Sequence, residues 1–109
     1  DSSFVYLPEE NTVIAGDTVI NTIHPEIVED SQLTSWLKTL GKIPQVKHVI
    51  PGHGESGDYK SVEKMREYID KIRRLINGEL SPTDLENDEN FSKRLHPELL
   101  EWSIKNLIA

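Results

Sequence analysis

Two short β-type runs each end in a glycine-containing motif with a metal-capable side chain, and a helix-length segment lies between them. Thr12-Val13-Ile14-Ala15 leads into Gly16-Asp17. Lys47-His48-Val49-Ile50 leads into Pro51-Gly52-His53-Gly54, with His53 36 positions beyond Asp17. Strand, helix, strand is the βαβ pattern, whose strands run parallel with a right-handed crossover. Parallel strands end on the same edge of a sheet, and open α/β sheets place their ligands at that edge. The chain is therefore expected to be an α/β protein in which Asp17 and His53 converge as part of a metal site.

The flanking segments fit that frame. Ser3 to Leu7 reads as a strand, and the turn-rich Pro8-Glu9-Glu10-Asn11 joins it to Thr12–Ala15 as a hairpin. The β-branched run Thr18 to Ile23 is expected to continue as a strand until Pro25. Asp30 or Ser31 can cap a helix with Leu33, Trp36, Leu37 and Leu40 on one face and Gly41 at its end. Pro44 resets the chain before a strand over Val46 to Ile50. A long helix is predicted from about Tyr59 to Asn77, with Gly78 as its stop. Its apolar positions Val62, Met65, Ile69, Ile72 and Ile76 form one continuous stripe. Ser81-Pro82 opens a short helical turn, and a last helix is expected from Pro97 to Ile108, burying Leu99, Leu100, Ile104 and Leu107. No repeat interrupts the pattern.

Composition narrows the function classes. At 109 residues, with 36% hydrophobic and 28% charged residues, the chain suits one globular domain. A net charge of −7 argues against a nucleic-acid footprint and against an anionic membrane surface. The acidic stretch Asp84 to Glu89 reads as a solvated connection. Without cysteine, a disulfide framework and a thiolate zinc site are both impossible. No run reaches the length of a membrane span and no signal peptide is visible. The compartment stays open, with the cytoplasm favoured. The chain lacks an initiator methionine and enters almost at once the strand-like Phe4-Val5-Tyr6-Leu7, so it is expected to begin inside a larger fold.

Asp17 alone would pass for a turn or cap residue, and a lone Gly-His-Gly for a tight loop. Glycine on both sides of His53 permits a sharp bend that aims the imidazole inward. Together, on one predicted edge, the two point to metal. His24, ahead of Pro25, is close enough in sequence to contact a substrate there or to support a ligand. His48 lies within a strand pattern and His96 at a helix start, where capping suffices. Trp36 and Met65 fall on apolar helix faces and read as core. Ser56 and Ser61 have no evident base, so a nucleophilic triad is unsupported.

Thr12-Val13-Ile14-Ala15-Gly16-Asp17-Thr18-Val19, the Asp-Ser…Trp-Leu helix and His48-Val49-Ile50-Pro51-Gly52-His53-Gly54 resemble the C-terminal half of the metallo-β-lactamase-fold hydrolases. The run Gly16 to Asn21 followed by His24-Pro25 looks closest to the broad metal-dependent hydrolase branch called β-lactamase-like. The resemblance runs from about Ser3 to Leu75, and the tail matches no family motif. It divides the chain into 1–78, the C-terminal half of the domain, and 79–109, a helical extension. It implies half of an αββα sandwich and a dinuclear site, usually zinc, with iron or manganese as variants. Asp17 would occupy the place of the metal-bridging carboxylate and His53 that of the last histidine ligand. The metals would activate a water that attacks an ester, thioester, lactone or amide of a small-molecule substrate.

The family's His-x-His-x-Asp-His cluster is absent. Two ligands fall short of the three that catalytic zinc sites keep, so this chain alone is expected to bind zinc weakly and hydrolyse nothing. Its partner would be the missing N-terminal half of the same protein, and the bare face of a half-sandwich is expected to promote self-association. Two other readings stand beside this one. The chain could be a non-catalytic α/β interaction module, or a family member with oxidative iron chemistry.

Overall fold

In the computed structural model, which describes residues 3–21, 24, 25, 27, 30–95 and 97–108, a three-stranded sheet carries helices on one face. Strand β1 (Val5–Leu7) pairs antiparallel with β2 (Thr12–Ile20), and β2 pairs parallel with β3 (His48–His53). The hairpin turn needs one left-handed residue. Asn11 takes it at φ 51°, a conformation asparagine tolerates. Its carbonyl also accepts from Lys47 and His48 N–H (3.2 Å each), tying the turn to the start of β3.

Helix α1 (Asp30–Leu40) makes the crossover between the parallel strands. Helix α2 (Tyr59–Ile76) starts at Asp58, whose carboxylate accepts from Lys60 N–H at 2.9 Å, and ends before Gly78 at φ 78°. Its predicted stripe is buried at Val62, Met65, Ile69 and Ile72, and Tyr68 and Leu75 join it; Ile76 is only partly buried. These side chains meet Leu33, Trp36 and Leu40 of α1 and Val13, Ala15 and Val49 of the sheet in one core cluster. Each fully buried aliphatic contributes about 1.5–3 kcal/mol.

Several expectations change. Gly16-Asp17 closes no run: β2 passes through it to Ile20, which includes the start of the strand expected from Thr18 onward. Likewise β3 begins at His48 and includes Pro51, Gly52 and His53 instead of closing at Ile50. The predicted extension through Thr22 and Ile23, and His96, lie outside the described residues. The acidic stretch is not merely a solvated connection. It forms α3 (Pro82–Glu86), with a Ser81–Asp84 capping box, and leads into α4 (Glu89–Ser92), capped by Asp88. Asp88 also forms an ion pair with Lys71 of α2. Leu85 and Phe91, each 3% exposed, are what bring this acidic segment in, because apolar burial outweighs the solvation of its neighbours. Helix α5 (Pro97–Ile108) has its expected bounds, but Leu99, Leu100, Ile104 and Leu107 are only partly buried, and among its residues of described burial the fully buried one is Ser103. No helix among the described residues is long and apolar enough to cross a membrane.

The other face of the sheet is bare. Val5, Ile14 and Ile50 are aligned across the three strands by register and are 54%, 40% and 41% exposed. Substituting lysine at both Ile14 and Ile50 is expected to change the unfolding free energy by no more than about 1 kcal/mol, since little buried area is lost. The same change should weaken any concentration-dependent association seen by sedimentation. A destabilisation of several kcal/mol in chemical denaturation would show that this face is covered.

Candidate metal centre

The site begins with an irregularity in the β2–β3 pairing. Gly16 pairs with Pro51 and Ile20 with His53, so Asp17, Thr18 and Val19 together face the single residue Gly52. Extra residues on one strand bulge it, increase its twist and re-aim side chains, a device common beside active sites. The alternation of faces breaks accordingly. Gly16 and Asp17 are both exposed, and Thr18, Val19 and Ile20 are all buried. Gly16 enables the break with a left-handed backbone at φ 54°.

Gly52 lets the bulged strand come close. A Cβ at that position would stand 2.2 Å from Asp17 Oδ1, 2.7 Å from Gly16 C and 2.8 Å from Asp17 N. The carboxylate therefore occupies space that any other residue would fill, directly beside the residue before His53. Both Asp17 and His53 are exposed, and the side chain of neither makes a hydrogen bond or ion pair with another described residue. The structure thus brings Asp17 and His53 to one edge, with no side-chain partner for either among the described residues.

Several long-range contacts hold this edge. Trp36 Nε1 donates to Thr18 O at 2.7 Å, and Thr18 Oγ1 donates to Ser3 O at 2.7 Å. Ile20 N–H donates to Met65 Sδ at 3.4 Å. Asn21 N–H donates to His53 O at 2.9 Å, and its amide reaches Glu55 O and Ser61 Oγ. From the tail, Arg94 Nη1 donates to Ile20 O at 2.6 Å, and its guanidinium lies 4.6 Å from the centre of the Tyr68 ring. Between the Gly54–Gly57 loop, the start of α2 and the α4–Arg94 segment opens a cleft of about 760 Å³, with Asn21, Ser61, Lys64 and Asn90 among its walls.

His24 is buried in the core. It is 2% exposed, packed against Tyr68 and Phe91, with Nδ1 2.7 Å from the Tyr68 hydroxyl. Burial in the first place, and then the nearby Arg94 charge, push its pKa down to about 4, although a hydrogen bond to the Phe91 main chain and the charge of Glu98 act the other way. Burial raises the Tyr68 pKa, so the phenol stays protonated and donates to a neutral imidazole. That placement removes His24 from direct contact with any substrate in solvent. It is a packed and hydrogen-bonded core histidine.

A metal of the kind the sequence resemblance implies would find suitable donor types here. A carboxylate and an imidazole are donor types that a divalent cation such as zinc takes. The number of donors does not suffice. Among the described residues no group of three His, Cys, Asp or Glu side chains could hold a metal ion, and a catalytic zinc keeps three protein ligands.

Trp36 and Arg94 escaped the sequence reading as parts of this edge. Trp36 carried a usable signal, because a buried indole N–H seeks an acceptor. Arg94 carried none, as its acceptor lies 74 residues away.

No family model matches the chain. It is 30% identical over 77 residues to a protein named metallo-beta-lactamase type 2 from Bacteroides fragilis, a match covering 65% of this chain and 31% of that protein. Among solved structures, VMB-1 superposes with a TM-score of 0.55 at 25% identity. TMB-1 does so with a TM-score of 0.52 at 20% identity, a likeness of fold alone. Each superposition covers 64% of this chain and 35% of the other. The chain thus spans about a third of the length of these relatives.

Proposed function

Because this chain, over about two-thirds of its length, is a protein of the metallo-β-lactamase fold, we propose that it forms the C-terminal half of a metal-dependent hydrolase domain. In this reading Asp17 and His53 are two ligands of a dinuclear, zinc-type site, and the remaining ligands come from chain beyond these residues. The bound metal would supply an activated water for attack on an ester, thioester, lactone or amide. The observation that carries the proposal is the bulge at Asp17–Val19, which sets a carboxylate with no side-chain partner among the described residues against Gly52, the residue before His53. The bare row Val5–Ile14–Ile50 supports the presence of a further layer, which the rest of the protein would supply. By itself the chain binds zinc weakly and has no hydrolytic activity.

Zinc linkage separates this reading from a non-catalytic interaction module. Wild-type chain should gain about 1.4 kcal/mol of stability at zinc tenfold above Kd. His53→Ala and Asp17→Asn should each abolish that gain. In chelator His53→Ala should unfold within about 0.5 kcal/mol of wild type, as expected for an exposed residue. A wild-type midpoint that zinc does not raise would sink the hydrolase reading and favour the interaction module.

A further inference from the structure

We propose that Trp36 is a positioning residue for the candidate metal centre: its indole N–H, bonded to Thr18 O, holds the bulge that presents Asp17. Trp36 is 4% exposed and belongs to α1, whose other inward residues Leu33 and Leu40 are purely apolar. The indole adds one directional contact to that packing. It ends on the carbonyl of Thr18, the residue after Asp17 and the middle one of the three that face Gly52.

A bulge takes carbonyls out of the strand ladder, and a buried carbonyl needs a donor. The donor at Thr18 O comes from the side chain of a helix and not from β3. With it in place, Thr18 and Val19 both face inward and Asp17 stays outside. Without it, Thr18 O gains a donor only by returning toward regular pairing with β3. Regular pairing restores strict alternation, and a one-residue change of alternation moves a side chain to the opposite face. Asp17 would then leave its place over Gly52. The remaining supports act further along the strand, at Ile20 and Asn21, or through the Thr18 side chain. None of them reaches the Thr18 carbonyl.

The inference deepens the metal reading and rests on it in one arm of the test only. Site-specific replacement of Trp36 by 3-benzothienylalanine keeps the bicyclic shape and puts sulfur where the N–H stood, so the core stays filled. The metal-free chain is examined first, by the NMR cross-peak between Asp17 Hβ and Gly52 Hα and by the Thr18 carbonyl carbon shift. Loss of that cross-peak with a moved carbonyl shift is the expected result; an unchanged cross-peak and shift overturn the proposal. Zinc ions are then titrated and followed at the His53 ring. The expected result is about tenfold weaker binding, the scale of lost support behind a ligand. Affinity within twofold of wild type overturns the proposal. If wild-type chain itself shows no zinc response, the hydrolase reading fails, and the metal-free arm alone decides the role of Trp36. Leu33→Ala is the comparator, because it loosens the same helix packing without removing a donor and should leave the cross-peak in place.

Discussion

Gly52→Ala is expected to destabilise the chain by about 3 kcal/mol, near the top of the range for overpacking, and to lower its thermal midpoint by roughly 15 °C. The reason is geometric. The new methyl would lie 2.7 Å from Gly16 C and 2.8 Å from Asp17 N, and backbone atoms cannot rotate away as a side-chain tip can. Relief requires β2 and β3 to separate where they are most tightly apposed, or the bulge to rearrange. Two other glycines provide the contrast. At Gly41 an added Cβ meets only carbonyl oxygens at 3.5 Å, and at Gly57 its close neighbour is the Ser61 hydroxyl, a side-chain tip that can rotate away. Alanine at either should change stability by no more than about 1 kcal/mol. Chemical denaturation of the three variants checks this, and a Gly52→Ala midpoint that matches Gly41→Ala would contradict the close approach.

Acid should weaken the fold in a window set by His24. Its folded pKa, about 4, lies below the ordinary value of 6.5. The unfolded chain therefore binds the proton more readily between the two values. Stability conferred by the neutral, buried ring is fully present above about pH 6.5, falls as pH drops, and levels off below about 4. The loss over that interval is about 3 kcal/mol. Urea midpoints measured from pH 7.5 to 4 should show this decline, and His24→Gln should be less stable at neutral pH yet nearly flat across the window. A wild-type midpoint that is constant between pH 6.5 and 4.5 would rule out a buried neutral His24. Desolvation dominates and Arg94 adds to it, while Glu98 opposes, so Glu98→Gln should carry the decline to lower pH and enlarge the total loss.

The residues differ in how far local chemistry revealed them. Helix α2 was legible because its stripe and its stop are both written within one segment: the Val62–Ile72 spacing and Gly78. The bounds of α5 were legible for the same reason, with Pro97 at its start. The shape of β2 was not. The β-branched run after Asp17 announces that the strand goes on, but only the partner strand shows that pairing lapses over Asp17–Val19 before it resumes at Ile20. The acidic stretch misled because charge was weighed over the two apolar residues, Leu85 and Phe91, that pull it inward. His24 misled through proximity in sequence to Asp17, since nothing local predicts that Tyr68, 44 residues on, supplies its hydrogen bond.

The amino-acid order alone determined the hairpin, the parallel βαβ unit and hence the shared edge of Asp17 and His53. Hydrophobic period, caps and turn residues act over a few positions, and crossover handedness does the rest. Tertiary structure alone decided how that edge is shaped. The bulge depends on a helix indole 18 residues from its acceptor, on Met65 beneath Ile20, and on Arg94 reaching back from the tail. Such contacts form only once the core has closed, because a buried polar group takes whichever partner packing brings within reach.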